Sequence, residues 1–174
     1  RIEGFLFPDT YDFANDATPR DIMQKMADEF DRKLTPEMRQ QAADCNLSIY
    51  ELVNLASLVE KEARYPEDRP VIAQVFFKRL DINMPLQTDT TLQYLRDEVK
   101  EDLSIEDTLV ESPYNTYLHY GLPPGPIASP GLASIEAVLH PADTDYLYFV
   151  ADRDGHNHYG YNYDEHLDLV NQVR

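Results

Sequence analysis

A single cysteine, Cys45, excludes an internal disulfide and any cysteine-built metal site. Cations are scarce: fifteen lysines and arginines face 32 aspartates and glutamates, a formal charge of −17. That balance argues against electrostatic binding to nucleic acid or an anionic membrane and suits a neutral or zwitterionic polymer better. No apolar run approaches the ~18 residues of a membrane span, and no signal peptide is visible. Tryptophan is absent, but twelve tyrosines supply amphipathic rings suited to sugars or to the boundary of a core. There is no Gly-x-Ser-x-Gly, no phosphate-binding glycine loop and no dinucleotide fingerprint.

What is present suffices for one folded unit. Hydrophobic residues make up 43% of 174, enough for a core, and no repeat or low-complexity linker divides the chain. Residues 1–174 are therefore read as one domain, and Arg1 leading directly into Ile2-Glu-Gly-Phe-Leu-Phe-Pro suggests a domain taken from a longer protein.

Phe5, Phe7, Tyr11 and Phe13 lie in an aromatic opening segment expected to be an ordered loop or short strand. Thr18-Pro19 and Thr35-Pro36 each place an N-cap before a proline at the first helical position, which predicts two helices. Ser48-Ile-Tyr-Glu51 is a capping box opening a third helix to Ala63, and an apolar helix through Val71, Val75 and Leu80 follows Pro66 to Pro70. Gln87-Thr-Asp-Thr-Thr91 reads as a helix start capped by Thr88 or Asp89, and residues 96–111 as a short helix with loops. Gly121 to Gly131 carries too much proline and glycine for a helix interior or central strand, but suits a rigid loop lining a site. A short helix over Leu132–Leu139, a strand over Tyr146–Ala151, a turn at Asp152–Gly155, a second strand through Tyr159 and a helix over Asp164–Val173 complete the chain. The expected class is α+β: helix-rich, with a small antiparallel sheet.

The third helix carries the most informative residues. Leu52, Ala56, Val59 and Ala63 recur at helical spacing and predict a core-facing stripe, with Asn54, Ser57 and Lys61 opposite. At ~100° per residue, Glu60 and Glu62 each fall at an edge of the apolar surface, so periodicity leaves the choice between them open. A carboxyl at such an edge resists ionisation, as a general acid near neutral pH must. Taken alone, both also read as solvated residues paired with Lys61 or Arg64.

Other clusters carry less. Asp152-Arg-Asp-Gly155 lacks the further ligands and closing glutamate of a calcium loop and reads as a hairpin turn. His156, His158 and His166 lack a flanking zinc-ligand motif, so no metal or cofactor is assigned.

Seven segments in order, Glu3-Gly-Phe-Leu-Phe-Pro-Asp-Thr-Tyr11, Ala56-Ser-Leu-Val-Glu-Lys-Glu-Ala63, Met84-Pro-Leu-Gln-Thr-Asp89, Tyr114-Asn-Thr-Tyr117, Gly121 to Gly131, His140-Pro141 and Tyr146 to Asp152, resemble the YceG-like family across practically the whole chain. The resemblance implies a lytic-transglycosylase-like catalytic domain that cleaves murein strands internally, with Glu62 as the catalytic acid. It carries Gln87, Thr88, Asp89, Tyr114, Asn115 and Tyr117 over as substrate-binding residues. The chain departs from the family where Gly-x-His-x-Phe is usual: it reads Gly155-His-Asn-His-Tyr159, with Asn157 at the histidine position.

The implied reaction cuts the β-1,4 bond between N-acetylmuramic acid and N-acetylglucosamine, leaving 1,6-anhydro-muramic ends. Two other classes stay open: a hydrolase pairing Glu62 with Asp89, and a non-catalytic glycan-binding or scaffold module. Implied partners are peptidoglycan strands and peptidoglycan synthases. The implied location is outside the bacterial cytoplasmic membrane, held by an N-terminal anchor.

Overall fold

The fold comes from a computed structural model that describes residues 2–98, 100 and 103–173. Its elements run α1 (Pro19–Lys33), α2 (Pro36–Asp44), α3 (Ile49–Glu62), α4 (Asp68–Asp81), α5 (Asp89–Tyr94), a 3₁₀ turn (Asp107–Leu109), α6 (Leu132–Leu139), β1 (Tyr148–Ala151), β2 (Asn157–Gly160) and α7 (Tyr163–Val173). The two strands pair antiparallel, Tyr148 opposite Gly160 and Ala151 opposite Asn157. The class is α+β, as expected.

Local signals place the helix starts. The Thr18 and Ser48 capping boxes both form: each hydroxyl accepts the amide three residues on, and the side chain of Asp21 or Glu51 returns to the cap amide. Thr35 caps α2 through the amide of Met38. The charged stretch yields only the 3₁₀ turn among its described residues; Val99, Glu101 and Asp102 lie outside them.

Helix α3 is the axis of the core. Leu52, Val53, Leu55, Ala56, Leu58 and Val59 are all fully buried, packed with Ile72, Ala73 and Phe76 of α4 and Ile135, Val138 and Leu139 of α6. Each large side chain so buried contributes roughly 1.5–3 kcal/mol. Two positions expected on the outer side, Asn54 and Ser57, are buried as well. The reason is the proline-rich loop, which lies over that side. Asn54 Nδ2 donates to the Pro123 carbonyl (2.7 Å), and the Ile127 amide donates to Ser57 Oγ (3.1 Å). Gly125 lets the loop come close to the Tyr50 hydroxyl, which a Cβ there would displace. Polar residues on α3 thus serve a protein interface that helical periodicity alone reports as solvent.

The opening segment is a loop whose aromatics anchor it: Phe7 is buried, its amide donating to the Met26 carbonyl (3.2 Å), and Phe5 meets Phe30 edge to face at 5.0 Å. Regular strand pairing starts at Tyr148, two residues later than the sequence suggests. The carbonyls of Tyr146 and Leu147 turn instead to α4, accepting from Gln74 Nε2 (3.3 Å) and Arg79 Nε (2.8 Å).

Candidate active site

Glu62 is the last helical residue of α3, with Ala63 as the C-cap. Its side chain is half-buried beside α5, where Thr90 Oγ1 donates to Oε1 at 2.8 Å. Burial is the largest influence on its carboxyl and raises its pKa from 4.5 to about 7; the charge of Asp89 adds to the rise, while the Thr90 hydroxyl and amide and the Arg79 guanidinium oppose it. Near neutral pH the group is therefore divided between acid and carboxylate, the state in which a side chain can both give and take a proton.

The surroundings are built by two loops tied at Thr116. The Gln87 amide donates to the Thr116 carbonyl (3.0 Å) and the Thr88 amide to Thr116 Oγ1 (3.0 Å). Thr91 Oγ1 donates to the Thr88 carbonyl (2.9 Å) and lies 3.0 Å from Thr116 Oγ1. Thr88, Thr91 and Thr116 are all buried, so this hydroxyl cluster sets α5 rigidly against the 114–117 segment. Gln87 enters the turn at φ 49°, a left-handed conformation rare for a side-chain-bearing residue. From the first turn of α5, Asp89 accepts a hydrogen bond from the Tyr117 hydroxyl. Burial, then this bond to Asp89, holds the Tyr117 phenol well above its usual pKa, so it remains a donor.

Arg79, at the far end of α4, is the buried cation here. It donates from Nε to the Leu147 carbonyl and from Nη1 to the Leu86 carbonyl (2.5 Å), and its guanidinium stands 5.3 Å from the Tyr148 ring centroid. Its charge acts on both Glu62 and Tyr117.

The structure brings together most of the residues singled out from the sequence, with different duties. Glu62, Asp89 and Tyr117 form one polar cluster. Gln87 is exposed beside it. Tyr114 is half-buried, its ring 4.9 Å from that of Tyr94. Thr88 is buried and belongs to the scaffold. Asn115 has no exposed surface: Nδ2 donates to the carbonyls of Thr108 (2.9 Å) and Val110 (2.7 Å), and Oδ1 accepts the Tyr117 amide (2.9 Å). It shapes the loop that presents Tyr117. Thr90 and Arg79 were not singled out. For Thr90 the available signal was its place beside Thr88 and Asp89; nothing in the local sequence marks Arg79, because its partners are backbone carbonyls.

Glu60 is committed elsewhere. Its Oε2 accepts from Ser134 Oγ (2.5 Å) and from the Gly131 amide (3.2 Å), and Arg69 Nε donates to the same Ser134 hydroxyl (3.2 Å). Gly131 is the N-cap of α6 and has no side chain to cap with, so Glu60 supplies the cap from α3.

At the hairpin, Asn157 keeps the position where the family pattern has histidine: Nδ2 donates to Asp68 Oδ2 (3.1 Å) beside the Tyr159 hydroxyl on Oδ1 (2.6 Å). Neither neighbouring histidine takes that place. His156 stacks on Tyr65 at 4.0 Å, and His158 Nε2 lies 3.0 Å from Asp152 Oδ2. Two surface cavities, about 360 Å³ between α2, α4 and α6 and about 540 Å³ between α4, Cys45 and Thr144, do not include Glu62.

Comparison with known proteins identifies the family and the fold. The family model described as YceG-like matches residues 1–172. An endolytic murein transglycosylase of Bacillus subtilis is 43% identical over 158 residues, 88% of this chain and 43% of that protein. One from Streptococcus pneumoniae is 39% identical over 172 residues, 95% of this chain and 31% of that protein. A crystal structure of a YceG-like protein from Listeria monocytogenes superposes with a TM-score of 0.91 at 39% identity, covering 97% of this chain and 55% of that one. The chain thus spans less than half the length of these curated relatives, and on the strength of the family match and the shared fold it belongs to the YceG-like family.

Proposed function

We propose that this chain is the catalytic domain of an endolytic lytic transglycosylase acting on the glycan strands of peptidoglycan, with Glu62 as its single acid and base. The observation that carries the reading is the half-buried Glu62 carboxyl at the end of a buried helix, bonded by Thr90 Oγ1 and with its pKa pushed up to about 7 by burial, in a family whose curated members are named endolytic murein transglycosylases.

The protonated Glu62 gives its proton to the oxygen of the β-1,4 bond as the bond to C1 of the muramic residue breaks. Positive charge develops on C1 and the ring oxygen. The carboxylate left behind takes the proton of the muramic 6-hydroxyl as O6 bonds to C1, closing the 1,6-anhydro ring and returning Glu62 to its starting form. No water is consumed. One residue serves twice because the two transfers are sequential, so the second carboxylate that glycoside hydrolysis needs has no task. Asp89 keeps Glu62 protonated before the first step by disfavouring its ionised form, and the buried Arg79 stabilises the carboxylate which that step leaves behind. Gln87 and Tyr117 are the polar groups placed to meet the sugar, and Tyr114 offers a ring to it.

The substrate sets the location: outside the cytoplasmic membrane, with the anchor in parts of the protein beyond this chain and peptidoglycan synthases as neighbours. Incubation with polymeric peptidoglycan and mass spectrometry of the new ends tests the reading. Anhydro-muramic ends are expected. Reducing ends, which borohydride converts, would make the protein a hydrolase using Asp89, and no new ends from the longer protein as well as this chain would make it a binding module.

A further inference from the structure

A carboxyl group can rotate about its last bond with little resistance, since terminal sp³–sp² torsions are broad and two-fold. An acid that must give up and recover a proton at a fixed place gains from having that rotation stopped. At Glu62 the stop is visible: Thr90 Oγ1 donates to Oε1 at 2.8 Å. Thr90 itself sits on a scaffold with little freedom. Its neighbours Thr88 and Thr91 turn inward to Thr116, and the Gln87 amide is bonded to the Thr116 carbonyl. Asp89, one residue before it, is held from the other side by Tyr117.

We propose that Thr90 is a positioning residue that pins Oε1 of Glu62, so that Oε2 alone delivers the proton to the glycosidic oxygen and recovers the one from the 6-hydroxyl. In the acid form, Oε1 is the carbonyl oxygen that accepts from Thr90, which leaves the proton on Oε2. In the carboxylate form, the same bond becomes charge-assisted and strengthens. Thr90 therefore fixes the plane of the carboxyl in both states without touching the sugar. The inference rests on the transglycosylase reading for its catalytic consequence, but not for its geometry.

The groups that also act on this carboxyl are the Thr90 amide, which Thr90→Val keeps, Asp89 from α5, Arg79 from α4 and Tyr117 from the following loop. Because the Thr90 bond favours the ionised form, its removal must move the titration of Glu62 upward.

The experiment compares Thr90→Val, which keeps the branched shape and loses the donor, with Thr90→Ser, which keeps the donor and loses a methyl group. Formation of anhydro ends from peptidoglycan is followed from pH 4 to 9, and the Glu62 carboxyl carbon is titrated by NMR. For Thr90→Val we expect kcat to fall about 10- to 100-fold with KM nearly unchanged, the magnitude typical of groups that orient a reacting one. The alkaline limb of the profile and the carboxyl titration should both move to higher pH. Thr90→Ser should restore both. Wild-type kcat in Thr90→Val, a loss confined to KM, or a Thr90→Ser as impaired as Thr90→Val would overturn the assignment, the last by showing that the methyl group matters. If the wild type forms no anhydro ends, the transglycosylase reading fails by itself, and an unmoved titration in Thr90→Val would still refute the pin.

Discussion

The two ends of the Glu60-Lys-Glu62 step make a controlled pair: same side chain, same helix, two residues apart. Glu60 turns to α6, where the Ser134 hydroxyl and the Gly131 amide both donate to its Oε2, and Arg69 stands behind the serine. Glu62 turns to α5, where the Thr90 hydroxyl and amide meet it and a second carboxylate, Asp89, lies nearby. A glutamate surrounded by donors stays where it is and holds two helices together. One that is desolvated and near a like charge keeps a proton available at neutral pH. The difference lies entirely in what the fold brings to each.

Removing the acid should have the largest effect. Glu62→Gln keeps size and cannot deliver a proton, so anhydro-end formation should fall by at least the ~10²- to 10⁴-fold typical of lost general acid catalysis, with the circular dichroism of the fold unchanged. Glu60→Gln should retain far more activity in the same assay. A reversed order would exchange the two roles.

The next effect is on stability, with a definite sign. Glu62 has a folded pKa raised to about 7 from 4.5, so its contribution to stability is fully present below about pH 4.5 and is lost as the pH rises through about 7. With each pKa unit worth about 1.4 kcal/mol, the loss amounts to roughly 3 kcal/mol. Glu62→Gln escapes it. Denaturant unfolding should therefore show the variant gaining on the wild type between pH 4.5 and 8, and parallel pH dependences would contradict the burial of this group.

How much of this was legible in the sequence follows from the range of each interaction. The capping boxes at Thr18 and Ser48 close within three residues, and both helix starts were read correctly. The proline-rich loop was recognisable as rigid, yet its resting place over Asn54 and Ser57 depends on contacts about seventy positions apart, so those residues were assigned to the wrong environment. The different surroundings of Glu60 and Glu62 are of the same kind: Ser134 and Thr90 set them, and neither is near in sequence. The resemblance assigned Asn115 to the substrate, while the carbonyls of Thr108 and Val110 accept from its amide.

The smallest expected effect sharpens the Glu60 side of the pair. Glu60→Ala leaves the Gly131 amide and the buried Ser134 hydroxyl without their acceptor and should cost about 1–3 kcal/mol in denaturant unfolding. Because nothing at α5 changes, kcat should stay close to the wild-type value. A stability loss below a few tenths of a kcal/mol would show that α6 caps itself in solution.

The most direct test is the titration of the Glu62 carboxyl itself, followed by carbon NMR in the wild type and in Asp89→Asn. The account predicts a midpoint near pH 7 in the wild type, matching the alkaline limb of anhydro-end formation, and a lower midpoint once the neighbouring charge of Asp89 is gone. A wild-type midpoint near 4.5, or one that Asp89→Asn leaves in place, would contradict it.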